Sequence, residues 1–199
     1  MVMSAKRWVV MGLTIAAAAQ TCAFEIFALG TSNTNCKNAG QAYTAKLNQL
    51  LSEHSINGHV INGGLDGDKP IWMLRRLKSA LATTPDIKMV IFEPGPNERN
   101  KRWNLEPSAE ILDFLKSQNI PTLYVSVARL QSEDEAADFA KSHGAHYFGH
   151  WNKGVPTDNL HRQYDMPGEP GHMTSLGCER WAGNLFPMLE QLINDYQLH

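Results

Sequence analysis

Ser32 stands in the turn Gly30-Thr31-Ser32-Asn33, directly after the apolar run Phe24 to Leu29, where a hydroxyl can act as a nucleophile. A serine hydroxyl is almost entirely neutral at pH 7, so that chemistry needs a base. One candidate is Glu169-Pro170-Gly171-His172: a carboxylate three residues before an imidazole can bond Nδ1, fix the tautomer and leave Nε2 for the hydroxyl. Asp158-Asn159-Leu160-His161 has the same spacing, but Arg162-Gln163-Tyr164-Asp165 after it does not start a helix, so His172 is the preferred base. Asp165 and Asp158 remain alternatives to Glu169 as the orienting acid.

These residues lie far apart in sequence, so the fold has to collect them. Phe24 to Leu29 is a first strand, and Tyr43, Leu47, Leu50 and Leu51 then recur at helical spacing up to the turn Asn57-Gly58. His59 to Ile61 is a second strand that leads to Gly64. Asp68 is placed to cap the next helix, Pro70 suits its first turn, and Leu74, Leu77 and Leu81 form its buried stripe. Met89 to Phe92 is a third strand that ends at Glu93-Pro94-Gly95-Pro96-Asn97.

A third helix spans about 108–118, and Thr122 to Val127 is a fourth strand. Ser132 with Glu135 forms a capping box for a helix that closes at His143-Gly144, and His146 to Phe148 is a fifth strand. The last helix begins near Thr174 and should kink near Gly183, because Pro187 interrupts its ladder. Strands alternating with helices predict βαβ units and a parallel sheet covered on both faces. Ser32, Gly64 and Asn97 then fall at the carboxyl ends of three strands, where open α/β sheets keep their sites. The backbone N–H groups of Ser32 and Gly64 and the Asn97 amide can converge there on an oxyanion.

Gly30-Thr31-Ser32, Asn62-Gly63-Gly64, Gly95-Pro96-Asn97 and Glu169-x-x-His172 resemble, in order, the four sequence blocks of the SGNH (GDSL-type) hydrolases. The resemblance covers essentially the chain from residue 24 to 199 and is closest to small secreted bacterial esterases and lysophospholipase-like thioesterases. It implies a three-layer α/β/α flavodoxin-like fold with a central parallel sheet of about five strands. It also implies an acyl-enzyme on Ser32, His172 as general base and then acid, Glu169 as the orienting acid, and Ser32, Gly64 and Asn97 as the oxyanion hole. No cofactor is implied, and the partner is a small acyl ester or thioester. Thr31, Glu98 and Glu169 depart from the family pattern, which usually has Asp at these places.

The first 23 residues read as a secretory signal peptide, with Lys6 and Arg7 before the apolar stretch Trp8 to Ala19 and cleavage after Ala19 or Ala23. The expectation is an exported, periplasmic or secreted monomer of one domain, 24–199, without stable membrane insertion after cleavage. Loss of Lys6 and Arg7 leaves 16 basic against 20 acidic residues, a net charge of −4, and no basic stripe for nucleic acid. If Ser32 and His172 meet, Cys36 and Cys178 become neighbours, and an oxidising compartment permits their disulfide. Loop closure gives such a bond roughly 3 to 5 kcal/mol at most.

Gly149 to Gly171 is a long aperiodic segment, and such loops in compact domains are usually functional. With 98–107 it is expected to wall the pocket, and Arg99, Arg102 and Trp103 read as a solvated loop. His143, His146 and His150 lack a zinc-ligand spacing, so no metal is expected. Two other readings stay open: a flavodoxin-like module that cradles a flavin phosphate on Thr31 to Asn35, and an envelope acyltransferase or carbohydrate-binding relative. An α/β-hydrolase is disfavoured by the absence of Gly-x-Ser-x-Gly.

Overall fold

The computed structural model describes residues 24–97, 105–127, 131–166 and 171–198. The leader, Arg99, Arg102, Trp103 and Glu169 fall outside them. Five strands alternate with five helices: β1 (Phe24–Gly30), α1 (Ala42–Glu53), β2 (Gly58–Gly64), α2 (Pro70–Thr83), β3 (Ile87–Phe92), α3 (Glu106–Ser117), β4 (Thr122–Ser126), α4 (Glu133–Ser142), β5 (His146–His150) and α5 (Ser175–Asp195). All strand pairs are parallel, in the order β2-β1-β3-β4-β5. That is the α/β sandwich expected from the alternation of elements.

The strand period of two sorts side chains between two apolar cores. From β1, Phe24, Ile26 and Ala28 join Tyr43, Leu47 and Leu51 of α1 and Trp181, Leu185 and Leu189 of α5 on one face. Phe27 and Leu29 join Met73 and Leu77 of α2, Ile111 and Leu115 of α3, and Ala136 and Ala140 of α4 on the other. Because both faces are buried, β1 and β3 read as continuous apolar runs. The Tyr43 and Trp181 rings stack 3.9 Å apart, which docks α5 on α1 close to the start of both helices.

Several local expectations meet different physics. Asp68 does not cap α2, whose N-cap is Lys69; the buried Asp68 carboxylate instead takes Arg76 Nε at 2.8 Å. Arg76 in turn donates to the carbonyls of Gly63 and Gly30, so it fastens the ends of β2 and β1. The α3 helix begins earlier than expected, at Glu106, because Pro107 suits a first turn. Pro187 lies inside α5, which runs on to Asp195. The Ser132–Glu135 capping box forms as expected.

Candidate active site

β1 delivers Ser32 into a tight turn at the carboxyl edge of the sheet, where the residue keeps 8 % of its surface exposed. Its Oγ lies 2.8 Å from His172 Nε2. His172 precedes α5, which is capped by the Thr174 side chain accepting from Gly177 N–H, so the ring is held at the mouth of a well-packed helix. The other ring nitrogen, Nδ1, lies 2.5 Å from Asp165 Oδ2, and His172 N–H donates to Asp165 Oδ1 at 3.0 Å. The carboxylate at Nδ1 is therefore Asp165, the alternative left open in the sequence, in place of the preferred Glu169, which lies outside the described residues.

The reason is a short antiparallel pairing that sequence spacing does not show. Gln163 N–H donates to His172 O, Gly171 N–H donates to Gln163 O, and Arg162 bridges Met173. This folds residues 162–165 back alongside 171–173 and sets Asp165 beside the ring. Burial alone would raise the Asp165 carboxyl, but the bonds from the His172 ring and backbone outweigh it and hold the group below its usual range. A carboxylate that stays ionised there keeps the proton on Nδ1 and leaves Nε2 as the acceptor for Ser32.

Asp158 and His161 pair as well, at 2.7 Å, but it is His172 whose Nε2 meets Ser32. The Asp158 carboxylate also accepts from Leu160 N–H and His161 N–H, so it closes a local turn. His161 has a second structural part: a Cβ on Gly177 would fall 2.1 Å from the His161 carbonyl oxygen. Only a glycine lets α5 pass that close.

The expected oxyanion donors lie in the strand-end loops, and two of them have partners. Gly64 N–H donates to Asn62 Oδ1 at 2.8 Å, and a Cβ at Gly64 would fall 2.3 Å from the Asn35 backbone nitrogen. Thus β2 ends in close contact with the Ser32 turn. One amide hydrogen of Asn97 goes to Asp68 O at 2.9 Å, which fixes the side chain and leaves the second hydrogen to donate elsewhere.

Glu93, read in the sequence only as the end of β3, is a central part of this site. It is fully buried, and its carboxylate accepts from Thr31 N–H (3.1 Å), Thr31 Oγ1 (2.8 Å), Asn33 Nδ2 (3.1 Å) and Thr34 Oγ1 (3.3 Å). Three residues of the Ser32 turn are thus tied to one group beneath them. Burial pushes the Glu93 carboxyl above its ordinary value despite these bonds. The sequence signal was a lone acid closing the apolar run Met89 to Phe92. The same geometry bears on the flavin reading, because the Thr31 and Thr34 hydroxyls are committed to a carboxylate where a phosphate would have to sit.

Cys36 and Cys178 form a disulfide with a Cα–Cα distance of 6.3 Å, joining the turn after Ser32 to α5. The three histidines weighed as ligands are dispersed: His143 pairs with Asp113, His146 with Tyr196, and His150 with Glu133 and the Gln131 carbonyl. Among the described residues, no group of three or more His, Cys, Asp or Glu is placed to hold a metal. No described helix is long and apolar enough to cross a membrane.

No protein-family model matches the chain, and no curated protein matches it. Solved structures do. TesA superposes with a TM-score of 0.73 at 17% identity, covering 84% of this chain and 99% of its own. The psychrotrophic esterase EstA from Pseudoalteromonas, in a structure inhibited by monoethylphosphonate, gives 0.71 at 13% identity, covering 85% and 98%. AlinE4, described as an SGNH-hydrolase family esterase, gives 0.61 at 23% identity, covering 85% and 96%. The chain therefore has the fold of the SGNH hydrolases over nearly the full length of these proteins.

Proposed function

We propose that this chain is an SGNH-type serine hydrolase that cleaves carboxylic esters or thioesters through an acyl-enzyme on Ser32. The observation that carries this reading is the 2.8 Å contact of Ser32 Oγ with His172 Nε2, on a ring whose Nδ1 is held by Asp165. Ser32 Oγ attacks the acyl carbonyl as its proton passes to Nε2. The resulting oxyanion takes hydrogen bonds from the Ser32 and Gly64 N–H groups and from Asn97, for which Asn62 Oδ1 must release or share the Gly64 N–H. Collapse breaks the bond to the leaving oxygen or sulfur, which takes the proton from His172. Water then attacks the acyl-enzyme, His172 accepts its proton, and Ser32 regains the one it needs when the acid departs.

No cofactor enters this sequence of steps, and a monomer suffices for it. Export is part of the proposal, supported by the basic and apolar leader and by the Cys36–Cys178 disulfide. The test is a panel of esters graded by acyl length, with acetylated sugars and acyl thioesters, run beside Ser32→Ala. Wild-type turnover should fall on the order of 10⁴-fold or more in the variant with the fold intact. Ester hydrolysis unchanged by Ser32→Ala would refute the assignment. Product analysis in the presence of alcohols separates hydrolysis from acyl transfer.

A further inference from the structure

The site is assembled from two chain segments, the turn after β1 and the 162–173 segment before α5, and their register decides whether Ser32 meets His172. We propose that Gln163 is the positioning residue that sets this register; the inference rests on the reading of Ser32 and His172 as the reacting pair. The Gln163 backbone pairs with the His172 side of the site, its N–H donating to His172 O at 2.7 Å and its carbonyl accepting from Gly171 N–H at 2.8 Å. Its side chain crosses to the other half, where Nε2 donates to Lys37 O at 2.8 Å as well as to Met173 O at 2.5 Å.

Lys37 connects directly to the nucleophile, because Lys37 N–H donates to the Ser32 carbonyl at 3.0 Å. A continuous path of hydrogen bonds thus runs from the Ser32 backbone through Lys37 and Gln163 to Met173, next to His172. The turn that receives it is not a relaxed one: Cys36 and Asn38, on either side of Lys37, have φ of 51° and 62°, in the left-handed region where non-glycine residues are held only by their surroundings. The disulfide pins Cys36 from the core side. Gln163 pins Lys37 from the loop side and accepts a long contact of 3.5 Å from Asn38 Nδ2.

The amide is the group this position needs. Its NH₂ supplies two donors to two carbonyls, whereas Glu supplies none and would face both carbonyl oxygens with negative charge; Met fills the space without bonding. The Gln163 side-chain bonds run to backbone carbonyls and to Asn38, so its loss should displace the reacting atoms without changing the titration of the base. A displacement of this kind can cost on the order of 10- to 100-fold in turnover.

The experiment compares wild type, Gln163→Met and Gln163→Glu in the oxidised full chain, using a small aryl ester well below Tm. Both variants should lose about 10-fold or more in kcat with KM close to wild type, and in the uncharged Gln163→Met the pH midpoint of the profile should also stay close to wild type. The Cys36–Cys178 bond should also be reduced faster by dithiothreitol, since its neighbouring clamp is gone. An unchanged kcat in Gln163→Met overturns the proposal, whatever happens to Tm, and so does a loss confined to KM. If the wild-type chain hydrolyses no ester, the proposed function fails. The clamp is then decided by the reduction rate, and a rate equal to wild type overturns it.

Discussion

Asp165 and His172 are seven residues apart in sequence, yet their side chains meet at 2.5 Å because Arg162 and Gln163 pair antiparallel with the 171–173 segment. The Glu169-x-x-His172 spacing expected from sequence would place acid and base on one continuous turn. Here the acid is delivered instead by a separate extended segment, registered by the backbone pairing of Gln163 with Gly171 and His172. Among the described residues, Asp165 is the carboxylate that bonds both the ring and the backbone of His172.

Asp165→Asn should therefore lower kcat/KM by about 10²- to 10⁴-fold, because an amide at Nδ1 favours the wrong tautomer and no longer stabilises the imidazolium. Glu169→Gln and Asp158→Asn should stay within about 2-fold of wild type, as should His161→Ala. Initial-rate kinetics on one ester decide the matter. Equal losses in Asp165→Asn and Glu169→Gln would return the acid to Glu169.

Glu93 gives the protein a stability component of unusual sign. Its carboxyl is raised by burial, so between the unfolded value near 4.5 and its higher folded value the native state holds more protons than the unfolded chain. Stability from this group is full below that window and falls as pH rises through it. Asp165, whose carboxyl is lowered, acts oppositely, and its contribution is lost as pH falls below the usual carboxylate range. In Glu93→Gln the first component disappears. The stability of wild type minus that of this variant, measured by urea unfolding across the acid range, should fall as pH rises above about 4.5. A difference independent of pH would show that Glu93 has the same proton affinity folded and unfolded.

Much of this was legible in the sequence because it depends on local pattern. The apolar runs of β1 and β3 mark buried parallel strands, and Gly30-Thr31-Ser32, Gly64 and Asn97 follow from where those strands stop. His172 was readable because it stands directly before a helix start. Asp165 was not selected, because its approach depends on a backbone pairing between 163 and 171–172, which carries no periodic signal. Glu93 was missed for a related reason: a buried acid is informative only once the donors around it are known, and Thr31, Asn33 and Thr34 look like ordinary turn formers in one dimension.

The Cys36–Cys178 bond closes a loop with a sequence separation of 142 residues. The paired variant Cys36→Ala/Cys178→Ala should lose stability toward the unfolded-chain entropy limit of roughly 3 to 5 kcal/mol, read as a lower urea midpoint. Activity should fall too, because Cys36 holds a left-handed backbone next to the Lys37 peptide that bonds Ser32. Full activity in the paired variant would show that the turn keeps its shape through Glu93 and Gln163 alone.

Two glycines of α5 separate close approach from helix propensity. A Cβ at Gly177 would meet the His161 carbonyl oxygen at 2.1 Å, and that same carbonyl accepts from Thr174 N–H at 3.0 Å. Gly177→Ala must therefore push the 161–165 segment away from α5, moving Asp165 with it. The cost should be about 1 to 3 kcal/mol in stability, together with a fall in kcat. At Gly183 an added Cβ meets nothing within 4 Å, so Gly183→Ala should gain roughly 0.5 to 1 kcal/mol from helix propensity and leave kcat unchanged. Urea unfolding and steady-state rates on the two variants test both directions. Equal effects at the two positions would mean that α5 can slide away from His161, and that the Asp165–His172 geometry tolerates the shift.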